Sequence, residues 1–387
     1  MALPLKYNIR NVLVRWRSTL ATVLGIALVV AVYVLLQAMA AGIEKSSANT
    51  GDPRNLMIVR RGSTAESASL VTREQLRSLM YVPEIARNAQ GEPEIAADLL
   101  VLLNLPRRDG GGEANVLLRG TSARGRELRS QVQLVEGRWF QPGHREVAVS
   151  RRLAARFANF ELGGKFRSGP AEYTVVGHFD GAKSAFDSEI WMDADEARTI
   201  FEREQYSSLL VRPADAQAAT NLILRIENDK RLQLLATPES AYYASQTATA
   251  RPIRWLGYFL AISMSVGAVF SAMNTMYAAV GARTREIGTL RVLGFRRRSV
   301  VVSFLIEGAL LAAIGGLLGG GLSLFMNGYA VGTLSFQTFS ETVFEFRVTP
   351  LLFAKGVLFA VVVGLAGTLL PAIRASRLPV IAALKSI

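Results

Sequence analysis

Six arginines crowd one short stretch of this chain: Arg283, Arg285, Arg291, Arg296, Arg297 and Arg298, with Glu286 the only acid among them. Guanidinium groups at this density bind carboxylates or phosphates, or hold a segment on one side of a bilayer. They do not release protons near neutral pH, so their chemistry is recognition and not acid–base catalysis. Residues that could catalyse are sparse. His144 and His178 are the only histidines, each in a strand-and-turn setting without clustered partners, and neither a catalytic nor a metal site is expected. Cysteine is absent, which excludes disulfides and cysteine–zinc sites. Gly163-Gly164-Lys165-Phe166 lacks both the spacing and the hydroxyl of a phosphate-binding loop, and no dinucleotide fingerprint is present. The sequence therefore predicts no bound cofactor and no enzyme activity of its own. Glu307 is the remaining unusual residue, a carboxylate inside an apolar run, where such a group faces protein or water; pairing with an arginine of the 282–298 stretch would satisfy it.

The elements around these residues are sized for a membrane. Apolar runs cover 18–41, 253–281, 299–326 and 350–373, each long enough to cross once as a helix. Pro371 is expected to mark the end of the last one. The formal net charge is +13, but 42–252 holds 28 Lys+Arg against 27 Asp+Glu. Segments 1–17, 282–298 and 374–387 carry +4, +5 and +3, which places all three on the cytoplasmic side and 42–252 outside. With no compact basic surface left over, nucleic acid is not an expected partner. Segment 1–17 reads as an interfacial helix, with Leu5, Ile9, Val12 and Trp16 on one stripe. The basic start and the Ala38-Met39-Ala40 triplet suggest a signal peptide, but the apolar stretch exceeds the usual h-region and an uncleaved span is expected.

Within the connector 282–298, Ile287, Leu290 and Leu293 recur at helical spacing and Gly294 sits where a helix would be capped. A helix with both a charged face and an apolar seam suits a groove on a soluble partner. In the third apolar run, Gly315, Gly316, Gly319 and Gly320 form two overlapping small-xxx-small pairs that permit close helix approach. Gln37 and Asn274 are read as helix–helix hydrogen-bonding groups. Residues 327–349 read as an outer loop whose Phe336, Phe339, Phe344 and Phe346 meet the interface or the outer domain.

The 42–252 region mixes helix and strand signals. Thr72 with Gln75 forms a capping box for a helix to Met80, Asp193 with Glu196 opens another to Arg203, and a third runs from Asp215 to Asp229. Strand-like runs cover 55–60, 115–119, 146–150, 173–177 and 208–212, so an α+β domain is expected.

Four stretches resemble the FtsX/MacB-type permeases, the mechanotransmitting class of ABC transporter membrane subunits. They are Met273-Asn274-Thr275-Met276, then Arg283-Thr284-Arg285-Glu286-Ile287-Gly288-Thr289-Leu290-Arg291-Val292-Leu293-Gly294 with Glu307-Gly308, and Pro371-Ala372-Ile373-Arg374-Ala375-Ser376-Arg377-Leu378. Val135-Glu136-Gly137-Arg138-Trp139-Phe140 and Arg145-Glu146-Val147-Ala148-Val149 resemble the MacB-type outer domain. The resemblance implies an α-helical membrane protein with four transmembrane helices and a large α+β extracytoplasmic domain, built from a MacB-like porter lobe and a β-rich insert at about 115–205. It implies ATPase coupling through Arg283, Arg285, Glu286, Ile287, Leu290, Arg291, Leu293 and Gly294, with ATP bound by a partner ABC ATPase. It further implies a homodimer in the inner membrane, a periplasmic adaptor and an outer-membrane exit protein, working in export or extraction. FtsX-like signalling to a cell-wall hydrolase, or a scaffold without energy coupling, are the alternatives.

Overall fold

The described residues are 16–169, 171–246, 250–335 and 339–379 of a computed structural model. Helix α1 (Trp16–Ala48) is followed by β1 (Leu56–Arg60), α2 (Arg73–Met80), β2 (Ile95–Pro106), β3 (Glu113–Thr121) and α3 (Ala123–Leu128). Then come β4 (Gln133–Gly137), β5 (Glu146–Ser150), α4 (Arg151–Ala154), β6 (Lys165–Ser168), β7 (Ala171–Asp180) and β8 (Glu189–Asp193). Helix α5 (Ala194–Ile200), β9 (Ser208–Val211), α6 (Ala216–Asn228), β10 (Leu234–Pro238) and α7 (Glu239–Ser245) complete that region. The rest is α8 (Ala250–Ala282), α9 (Thr284–Val292), α10 (Arg297–Leu324), β11 (Ala330–Leu334), β12 (Glu341–Glu345) and α11 (Pro350–Ser376). The expected interfacial helix up to residue 15, Phe336, and the tail residues Ile381, Leu384 and Lys385 lie outside the described residues.

Two units divide the chain. One gathers the described residues up to Ala41 with 251–329 and 346–379; the other gathers 42–250 and 330–345. In the first, α1, α8, α10 and α11 are long and apolar enough to cross a membrane. Helix α11 starts on a Thr349 cap that accepts from Leu352 N–H, with Pro350 in the first turn, where its missing N–H costs nothing. Pro371 does not end it. The helix continues to Ser376, since a single lost intrahelical bond is tolerated where neighbouring helices surround it.

The second unit is built on a ten-stranded mixed sheet in the order β10-β1-β9-β2-β3-β8-β5-β7-β4, with β6 on β7. Strand β2 changes partner along its length: Ile95–Asp98 pair with β9, and Leu99–Pro106 with β3. This divides the sheet into two halves. On the first, Leu56, Ile58, Leu209 and Val211 point into a core closed by Leu79 of α2 and Leu222 and Ile226 of α6. Met57 and Val59 of the same β1 point to the other face, beside Phe179, Phe186, Trp191 and Tyr243. Both faces are covered, so the strand reads as a continuous apolar run. The second half has its own core of Leu103, Val116, Leu118, Val147, Val149, Phe157, Phe160 and Tyr173.

Local signals account for the helix starts. The Thr72–Gln75 capping box is present in both directions, and Asp215 caps α6 by accepting from Ala218 N–H. Asp193 caps α5, but that helix ends at Ile200 instead of Arg203 because Glu202 adopts a left-handed φ of 52°. Ala330–Leu334 and Glu341–Glu345, expected as loop, pair as the antiparallel strands β11 and β12 and belong to the sheet-containing unit.

Candidate coupling site and its anchorage

The arginine-rich connector is a two-turn helix with a closed end. In α9, Gly294 takes φ 91°, its N–H donates to Arg291 O, and Phe295 N–H donates to Leu290 O. These two bonds make a Schellman motif, which satisfies terminal carbonyls and turns the chain sharply into α10. A side chain at position 294 would strain that turn.

The apolar seam expected on α9 is split between two faces. Ile287 is only 3% exposed and packs on Met276, Val280, Val300, Phe304, Ala372 and Ala375, so it anchors the helix from within and is not available to a partner. Leu290 and Arg291 are half-buried, while Arg285 and Glu286 are exposed. The free apolar surface is Val292 and Leu293, 62% and 69% exposed, at the turn beside exposed Arg296, Arg297 and Arg298. The period places Ile287 with Leu293, but the inward side of a short helix is set by its neighbours, which periodicity does not reveal.

Arg283 is also turned inward. Its Nη1 and Nη2 donate to the two carboxylate oxygens of Glu307 at 2.9 and 3.2 Å, and both residues are buried. This fork-to-fork pair satisfies the membrane carboxylate and ties the start of α9 to α10.

Glycines set the packing of α10 on two sides. A Cβ at Gly315 would come within 2.9 Å of Val23 O, and one at Gly319 would fall on Ala27 O, both on α1. On the opposite side, a Cβ at Gly316 would come within 2.8 Å of Ala360 Cβ, and one at Gly320 within 2.7 Å of the Phe353 ring, both on α11. All four are buried, so α10 is clasped between two helices at backbone distance. Gln37 Nε2 donates to Arg254 O at 3.3 Å, joining α1 to α8. Asn274, expected to act similarly, is exposed on α8 and makes no such bond among the described residues.

No cluster of three or more potential metal ligands exists among the described residues. His144 is exposed; His178 is buried, with Nε2 2.7 Å from Phe160 O and Nδ1 3.2 Å from Glu136, a structural setting.

One buried assembly is not visible in the sequence. Arg119, fully buried, donates to Glu66, Asp98 and Glu189 at 2.7–3.1 Å and to Tyr243 Oη at 3.2 Å. Arg129, also fully buried, lies 2.7 Å from Asp98 and 3.0 Å from Glu239. Burial opposes ionisation of Asp98, but Arg129 and Arg119 overcome it and hold the carboxyl below its ordinary range. Burial pushes the Tyr243 hydroxyl well up, so it stays protonated and donates to Glu66. These groups come from the β1–β2 loop, β2, β3, the turn after α3, β8 and α7, so the network pins both halves of the sheet. Isolated charges far apart along the chain give no sequence signal for such a cluster.

Comparison with known proteins fits this architecture. A model of the FtsX-like permease C-terminal region matches residues 258–380, and a model of the MacB-like periplasmic core domain matches residues 18–228. The chain belongs to the FtsX/MacB family of permeases. The macrolide export ATP-binding/permease protein MacB of Hahella chejuensis is 26% identical over 82% of this chain and 45% of its own length. The pyoverdine export ATP-binding/permease protein PvdT of Pseudomonas fluorescens is 33% identical over 44% of this chain and 24% of its own. The chain thus spans less than half the length of these relatives. The crystal structure of the periplasmic region of MacB from Actinobacillus actinomycetemcomitans aligns with 50% of this chain and 92% of that one, at 13% identity and a TM-score of 0.38.

Proposed function

We propose that this chain is the inner-membrane permease subunit of an ABC exporter. It couples ATP hydrolysis by a partner ATPase to movement of its extracytoplasmic domain, and so drives export or extraction of a substrate from the outer side. The chain acts as a homodimer, with the 282–298 connector and both termini cytoplasmic, and hands its substrate to an adaptor and an outer-membrane exit protein. The relatives' names join ATP binding to a permease, and residues 1–387 hold no phosphate loop, so the nucleotide would be bound outside this stretch.

The observation that carries the reading is the construction of α9. Its inner side is fixed by Ile287 and by the Arg283–Glu307 pair, and its outer side offers Val292 and Leu293 ringed by arginines. A rigidly held helix with an exposed apolar pair is suited to receive force from a soluble partner. The test is affinity capture of the full chain with its ATPase, followed by hydrolysis measurements on the captured complex. Replacing Val292 and Leu293 together by Asp should abolish ATPase retention, while Arg297→Ala should leave it nearly normal, because exposed ion pairs contribute only about 0–1 kcal/mol. Normal ATPase retention by the double Asp variant, inserted at normal levels, would reject α9 as the coupling element.

A further inference from the structure

The loop between β7 and β8, residues 181–188, carries two consecutive non-glycine residues in left-handed conformations, Ala182 at φ 57° and Lys183 at φ 59°. Such strain persists only where surrounding contacts over-determine it, and it concentrates at switching segments. Here the contacts are explicit. Gly181 N–H donates to Asp187 Oδ1 at 2.8 Å, Ala182 N–H to Asp180 Oδ1 at 2.8 Å, and Ser184 Oγ to Gly181 O at 2.5 Å. Ser184, Phe186 and Asp187 are buried.

Two other segments of the same unit converge on this loop. From the C-terminal end of α1, Thr50 Oγ1 accepts from Ala185 N–H at 2.8 Å while donating to Ser46 O at 2.8 Å. From the hairpin, Val343 N–H donates to Ser188 Oγ at 2.7 Å, and Glu345 accepts from Lys183 at 3.0 Å and from Arg152 at 2.6 Å. Arg152 also lies 3.2 Å from Asp187, so it bridges hairpin and loop. Gly42 of α1 abuts Glu345, where a Cβ would fall on the Glu345 carbonyl oxygen. The end of α1, the β12 strand and the loop therefore form one junction.

The loop's far side leads inward. Phe186 packs against Trp191 and Tyr243 at ring separations of 5.6 and 5.7 Å, and the guanidinium groups of Arg119 and Arg129 lie 5.5 and 5.2 Å from its ring centre. Those arginines hold both halves of the sheet. The hairpin is joined by short links to α10 and α11, and α1 runs unbroken into the junction.

We propose that residues 181–188 are the mechanical input of the extracytoplasmic domain: displacement of the α1 end and of the β11–β12 hairpin re-seats this strained loop, and Phe186 passes the change to the buried ionic network. This rests on the coupling function proposed above. The test uses the full chain with its partner ATPase in nanodiscs, and hydrogen exchange with and without ATP plus vanadate. Segments 42–50, 181–188 and 341–345 should change protection together in the wild type. Thr50→Val and Glu345→Gln should keep ATPase association and basal hydrolysis but lose the nucleotide-dependent change in 181–188. Ala182→Gly, which accepts the left-handed conformation, should retain the change, and Ala182→Val should lose it. A nucleotide response elsewhere in 42–250 without one in 181–188, or an undiminished response in Thr50→Val and Glu345→Gln, would overturn the inference and leave the coupling function standing. No nucleotide response anywhere in 42–250 of the wild type would overturn both.

Discussion

The two units of this chain are each held together by different means. In the membrane unit, Gly315 and Gly319 bring α10 to the backbone of α1, Gly316 and Gly320 bring it to α11, and the buried ionic contact made by the connector is the Arg283–Glu307 pair. In the sheet unit, large aromatic side chains fill the cores, and the network around Arg119 and Arg129 is buried throughout. The solvent explains the difference. Lipid gives little reward for burying apolar surface, so shape and close approach decide helix association. In water, apolar burial supplies the driving force, and a buried network of paired charges can fix one arrangement of the sheet halves.

The largest expected effect breaks the sheet unit. Arg119→Met would leave Glu66, Asp98 and Glu189 without their shared cation, and breaking such a buried cluster costs about 3–5 kcal/mol. Tryptophan fluorescence should read the loss in a denaturant titration, since Trp191 Nε1 donates to Glu189 in the same cluster. A variant as stable as the wild type would mean the network is not what joins the two halves.

A smaller effect sharpens the membrane side. Gly319→Leu should destabilise packing on α1 by roughly 1–3 kcal/mol, the usual cost of overfilling a close contact. Gly321→Leu is the control, because a Cβ there would meet no atom within 4 Å, and it should be nearly neutral. Thermal unfolding in detergent compares the two, and equal losses would show that close approach to α1 does not govern this run.

How much of this is legible in the sequence depends on whether a signal is local. Apolar runs, the Thr72–Gln75 box, the Asp215 cap and the Gly294 turn are decided by a few neighbouring residues, and each is read from the chain directly. The Glu307 partner is also foreseeable, because a carboxylate in an apolar run needs a cation and the connector holds six arginines. Long-range pairings are not legible. Strand β2 escapes a reading of the sequence because Asp98 interrupts an apolar run and finds its partners on β3 and in the turn after α3. The hairpin reads as loop because Glu341 and Glu345 look like solvent-exposed acids; in the fold Glu341 pairs with Arg107 and Arg156, and Glu345 with Arg152 and Lys183. On α9, Ile287 faces inward because α8, α10 and α11 surround it, which spacing alone does not report.

The proposed function requires the sheet unit and the α9 connector to lie on opposite sides of a membrane. The chain has no cysteine, so single thiols can be placed without background. Tyr81 of the sheet unit is 80% exposed, and Arg298 is exposed at the connector. With a membrane-impermeant maleimide, Tyr81→Cys should label in intact spheroplasts, whereas Arg298→Cys should label only after lysis. Labelling of both in intact spheroplasts, or of Arg298→Cys alone, would contradict the account.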